Sequence, residues 1–219
     1  MGACTNNFID FFVITFILVG MKTRNPELTR QIILEMAAVE IHRNGFQAAS
    51  LNNIVDATEL TKGALYHHFP NKLALGYAVV EELIHDRIKE LWLRPFEGCK
   101  DPIECLQRMI KAKKKQMQAE DVFLGCPLNN LALEMSPIDE GFRLRVNRIY
   151  DLWCEGIAEA LTRGQRNGFV SNGIDPIKTA TFIVASIAGC RSMAKNSQSM
   201  DVLSACAECL MDYLETLRP

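Results

Sequence analysis

Thr61-Lys62-Gly63-Ala64-Leu65-Tyr66-His67-His68-Phe69-Pro70 is the stretch on which the fold turns. Thr61 is an N-cap residue, and a chain cannot stay helical into a proline, so a helix of about two turns ends near Phe69. Ser50 caps a second short helix, Leu51 to Ala57, with Asn53 placed to complete an imperfect capping box. Thr58-Glu59-Leu60 is the turn between them. Two short helices on a tight turn form a helix-turn-helix, whose second member enters a DNA groove. The composition of that member suits the task. Gly63 and Ala64 let the backbone approach closely, Lys62 and His67 donate to base edges or phosphates, and the Tyr66 hydroxyl reaches a phosphate oxygen. Leu65 and Phe69, four apart, face inward against Ile54 and Leu51. Lys72 sits at the next helix's N-terminus, where backbone N–H groups already favour an anion.

Working outward, Leu28, Ile32, Met36 and Val39, widened by Ile33, Ala37 and Ile41, repeat at helical spacing until Asn44-Gly45. Downstream, the same spacing predicts helices from Asn71 to Trp92, Asp101 to Ala119, Pro127 to Met135, Ile138 to Gln165, Asp175 through the apolar run Phe182–Gly189, and Met200 to Leu217. No alternating strand pattern and no internal repeat appears. The expected fold is all-α, about nine helices in all, with a three-helix N-terminal helix-turn-helix domain followed by a larger helical domain.

At Ser50-Leu51-Asn52-Asn53-Ile54 and Lys62-Gly63-Ala64-Leu65-Tyr66-His67-His68-Phe69-Pro70-Asn71-Lys72 the chain resembles the TetR family of bacterial transcriptional regulators. Gly125-Cys126-Pro127-Leu128-Asn129-Asn130-Leu131 is similar to segments of some subfamilies. The resemblance implies a DNA-binding domain over 21–72 and an effector-binding, dimerising domain over 73–219. It implies a repressor acting as a homodimer on a palindromic double-stranded DNA operator, released by a small-molecule effector. Ser50, Thr61, Lys62, Gly63, Ala64, Tyr66, His67 and Lys72 are the candidate DNA-contacting residues. There are two departures. Glu59 stands where the family usually carries glycine, so a strained or different turn is expected. Ile41, followed by His42, replaces the usual aromatic of the first helix.

Charge limits how DNA can be held. The chain carries 24 Lys/Arg and 26 Asp/Glu, which excludes bulk basic binding. Residues 21–72 hold six basic and five acidic side chains, a net of +1. So weakly basic a domain needs a second copy to double its phosphate contacts. The eight cysteines lie in apolar helical stretches and read as reduced thiols of a cytoplasmic protein. Residues 1–20, with the apolar run Phe11–Val19, fall short of a membrane span and lack a signal peptide's basic start. They are read as a non-native or disordered extension ahead of a functional start near Met21, and no membrane association is expected.

No phosphate loop, nucleophile triad or paired Glu-x-x-His appears, only the single Glu82/His85 spacing, so neither enzyme, metal site nor cofactor is expected. Cys206-x-x-Cys209 is half a zinc motif and reads as a shared buried face. Lys111, Lys113, Lys114 and Lys115 read as a solvated helix face. The run Phe182–Gly189 is too apolar for water on any side. With the last helix it suits half of a four-helix dimer interface, burial in the monomer core being the alternative. Met109, Met117, Phe123, Cys126, Leu131, Met135, Tyr150 and Trp153 are candidate linings for a small, largely apolar effector, with ordinary core packing competing for each. Cys126, at a break between helices, is also a candidate electrophile- or oxidant-sensing thiol. A helical interaction protein that does not bind DNA is the remaining class.

Overall fold

The computed structural model describes residues 25–219, so the expectation for residues 1–20 lies outside the described residues. Among the described residues every regular element is helical. The helices are α1 (Pro26–Asn44), α2 (Leu51–Thr58), α3 (Lys62–His68), α4 (starting as Lys72–Ala78), α5 (Pro102–Gln116), α6 (Ala119–Leu124), α7 (Pro127–Met135), α8 (Glu140–Arg166), α9 (Pro176–Ser197) and α10 (Met200–Glu215). α4 widens into π turns over Val79–Ile84, tightens to α over His85–Ile88, widens again over Lys89–Leu93 and closes with a 3-10 turn, Arg94–Phe96. The short α6 replaces the tail expected of α5. Gln118 and Asp121 form a capping box that starts it, the Gln118 N–H donating to Asp121 Oδ2 at 2.9 Å.

The chain divides into two compact units, one running to Ile84 and including Asn130–Arg145, the other made of His85–Asn129 and Val146–Pro219. The helix-turn-helix therefore belongs to a unit reaching beyond residue 72. In its core the Phe46 and Phe142 rings meet edge-on at 4.6 Å, and Tyr77 meets Phe142 at 5.1 Å. Tyr77 donates to Asp139 at 2.8 Å, with the Arg145 guanidinium 3.8 Å above its ring. Gly76 makes this packing possible: a Cβ there would lie 2.8 Å from Phe142 Cζ and closer still to the Phe46 ring.

In the second unit α10 packs against both α5 and α9. Lys114 pairs with Glu208 at 2.8 Å, Gln107 donates to Glu215 at 2.7 Å, and Arg218 joins Asp101 at 2.8 Å. Trp92 and Trp153, both buried, lie 5.2 Å apart. One expectation is corrected here. Cys99 and Cys105 are joined as a disulfide, their Cα atoms 6.7 Å apart, because the loop at Gly98 folds back on the first turn of α5. Cys126, Cys154, Cys190, Cys206 and Cys209 are free.

The apolar side chains of α9 are divided between two environments. Ile183, Val184, Ile187 and Ala188 are buried in the unit's own core, whereas Phe182 is 51% exposed and Met193 62%. No helix among the described residues is long and apolar enough to cross a membrane.

Candidate nucleic-acid interface

Seven residues of α3 are too few for a stable isolated helix, so its position depends on caps and packing. Thr61 Oγ1 accepts from Ala64 N–H at 3.1 Å, and Phe69 N–H closes on Leu65 O at 2.9 Å. Leu65 and Phe69 are buried with Ile54 beneath them, each burial contributing roughly 2–3 kcal/mol. Arg30 lies over the Phe69 ring at 5.1 Å and holds Glu82 with two hydrogen bonds, 2.8 and 2.5 Å. With Leu65 turned inward, the i, i+4 pairs Lys62/Tyr66 and Gly63/His67 share the outer face, and all four residues are exposed. Thr61 is also exposed, and Ala64 and Ser50 are partly so.

The turn before α3 holds Glu59 at φ 52°, ψ 21°, the left-handed conformation that glycine adopts freely. The capping box at α2 is built differently from its sequence pattern. Ser50 Oγ accepts from Asn53 N–H at 3.4 Å, but the Asn53 side chain donates to Glu40 Oε1, which also takes Ser50 N–H at 2.9 Å. Glu40, on α1, thus does the work expected of Asn53. A second distant carboxylate fixes the α1–α2 connection. Glu134 of α7 accepts from Phe46 N–H at 2.9 Å and from Gln47 N–H at 2.8 Å. It lies so near Gly45 (φ 79°) that a Cβ there would be 2.9 Å from Glu134 Oε2. Lys72 Nζ donates to Gln47 O at 2.9 Å and stands 5.0 Å over the Phe46 ring. One donor of that ammonium is engaged, and two are left for a phosphate.

The residues considered for effector binding are dispersed. Leu131 and Met135 are buried in the first unit. In the second unit Met109 and Trp153 are buried and Phe123 is 60% exposed. Cys126 and Tyr150 are half-buried, with Tyr150 donating to Asn129 at 3.2 Å. Burial pushes the Tyr150 hydroxyl above its ordinary range. Met117 lines a small cleft of about 70 Å³, whose apolar walls are completed by Trp92, Ile110, Ile187, Leu203 and Leu210. Lys113 and Arg191 also line it. Tyr150 lines an open groove of about 570 Å³ along α8 and α9, with Ile177, Ala185 and Gly189.

The lysine run needs correcting as well. Lys111 and Lys115 are exposed, but Lys113 is partly buried, and burial beside Arg87 and Arg191 lowers its pKa to about 8. A signal was available. Ile103, Leu106 and Ile110 continue at helical spacing to Lys113 and Met117, so Lys113 falls on the inward stripe. Among the described residues no group of three or more His, Cys, Asp and Glu could hold a metal.

An exposed second helix on a packed helix-turn-helix, in a chain whose second unit is helical and holds an apolar cleft, defines a helix-turn-helix DNA-binding protein. Comparison with known proteins agrees. Residues 33–79 match the model of bacterial regulatory proteins of the tetR family, and 102–209 that of the LmrA/YxaF-like transcriptional regulator C-terminal domain. The HTH-type transcriptional regulator YxaF of Bacillus subtilis is 30% identical over 159 residues, 69% of this chain and 78% of that protein. The HTH-type transcriptional repressor DhaR of Mycobacterium sp. GP1 is 24% identical over 192 residues, 86% of this chain and 95% of that one. A TetR transcriptional regulator of Chloroflexus aurantiacus superposes with a TM-score of 0.78 at 24% identity, covering 88% of this chain and 97% of its own. The chain belongs to the TetR family of bacterial transcriptional regulators. The family is one of regulators rather than enzymes.

Proposed function

We propose that the protein is a repressor that binds a palindromic operator as a homodimer and is released by a small, largely apolar effector. The observation that carries this reading is the outer face of α3, where Lys62, Gly63, Tyr66 and His67 are exposed together over a buried Leu65. Lys62 and His67 are assigned to base edges or phosphates and the Tyr66 hydroxyl to a phosphate. Gly63 and Ala64 permit close approach, Ser50 and Thr61 present the two helix N-termini, and Lys72 clamps a phosphate. Phe182 and Met193, exposed on one side of α9, supply the face for a second copy, which would set two α3 helices one DNA turn apart, about 34–36 Å. The apolar cleft of the second unit supports an effector site, and an effector acts by preferring the form that does not bind DNA. The name of DhaR, a repressor, favours repression.

Binding of the protein to DNA flanking its own gene, titrated with salt, tests the reading. Saturable, sequence-selective binding by a dimer, weakened by Lys62→Ala and Tyr66→Phe, is the expected result. Failure to bind that DNA or a random-sequence pool at low salt would sink it.

A further inference from the structure

We infer that the effector carries an anionic, carboxylate-like head on an apolar body, the body lying in the cleft between α5, α9 and α10 and the head meeting Lys113, Arg191 and Arg87. This rests on the regulator reading and narrows its effector to a chemical class. Three cations converge where helical periodicity calls for apolar residues. Lys113 continues the stripe Ile103, Leu106, Ile110, and Arg191 falls between Ile187 and Ala194 on the buried stripe of α9. Arg87 follows Ile84 at i+3, in the single α turn between two π segments of α4. Lys113 and Arg191 line the cleft, and Arg87 is near enough to both to repel them. One carboxylate, Asp121, faces the group, and one of its oxygens already accepts from Gln118 N–H.

Arg191 is only partly satisfied from within. Arg191 Nη2 donates to Gly125 O at 2.7 Å, but its Nε is buried without a hydrogen-bond partner. Desolvation and the neighbouring cations depress the pKa of Arg87 to about 10 as well as that of Lys113. Lys114, one residue on, shows the contrast, being neutralised by Glu208 at 2.8 Å. Partly buried like charges destabilise a fold unless something compensates them. An anion entering with an apolar tail supplies that compensation, while the tail covers Trp92, Ile110, Met117 and Leu210.

The chain's two tryptophans report on the site, since Trp92 lines the cleft and Trp153 stacks near it. Decanoate titrated into the full chain should change tryptophan emission saturably, and decanol, of equal length and uncharged, should bind at least about tenfold more weakly. Lys113→Met should weaken decanoate by about tenfold and leave decanol unchanged, with Lys113→Arg restoring decanoate binding. Lys111→Met, on the exposed face, should change neither. Because Lys113→Met removes a repelled charge, it should melt no lower than the parent. Equal binding of decanol and decanoate, or decanoate binding indifferent to Lys113→Met, overturns the head-group assignment and leaves the apolar-effector reading standing. Silence from both probes at millimolar concentration overturns the assignment and counts against that effector reading too, whereas operator binding is judged by its own assay.

Discussion

Glu59 holds a left-handed backbone that costs an L side chain roughly 1–2 kcal/mol relative to the right-handed form. Its exposed side chain makes no contact that explains the choice. Glu59→Gly should therefore stabilise the protein by about 0.5–1 kcal/mol, part of the relief being offset by glycine's greater unfolded-state entropy. A urea melt measures this directly. Gly76 is the opposite case. Gly76→Ala forces a methyl group into the Phe46 and Phe142 rings, so a loss of about 1–3 kcal/mol is expected in the same assay. Sequence disclosed the N-caps at Ser50 and Thr61, because a cap and its target N–H are three residues apart. It did not disclose Glu134, whose amide targets lie 88 and 87 residues away. A glutamate in a helix carries no mark of a partner that far along the chain.

Among the elements, α5 shows why a correct helix can be given the wrong face. The cluster of lysines near its end looks like solvent exposure, and only the register of Ile103, Leu106 and Ile110 places Lys113 inward. Its lowered pKa has a measurable sign. In the folded chain Lys113 titrates near 8 against an ordinary 10.5, so between those values the unfolded chain binds more protons and folding is favoured as pH rises. Below about pH 8 the penalty of the buried charge is present in full. Stability of the parent relative to Lys113→Met should thus increase as pH is raised through this window, Arg87, whose own pKa is lowered to about 10, beginning to lose its charge only at the upper end. Denaturation of both proteins at pH values spanning the window checks it, and no change in the difference would contradict the burial of Lys113. For α3, Lys62→Ala should lower the salt dependence of operator affinity by roughly one phosphate contact per protomer, two in a dimer. Unchanged slope with reduced affinity would instead move Lys62 from phosphate to base.

For the whole molecule, the fold class and helix order could be read from periodicity and punctuation, which are local. The compact units could not, because Asn130–Arg145 joins the first unit through packing of Phe142, Tyr77 and Phe46 that no local pattern announces. The disulfide of Cys99 and Cys105, only six residues apart, was missed for another reason, the cysteines being read together as reduced thiols. The divided face of α9 carries the prediction at this scale. Replacing Phe182 or Met193, both more than half exposed, by glutamate should leave the monomer folded and shift sedimentation from dimer to monomer. Operator binding should fall with it.

That exposed face also bears on how the protein responds to its own abundance. If two copies must meet on α9 before two recognition helices can be presented, then in the dilute regime operator occupancy follows the square of chain concentration. A halving of expression would empty the operator fourfold, making synthesis and turnover of the chain a control input alongside the effector.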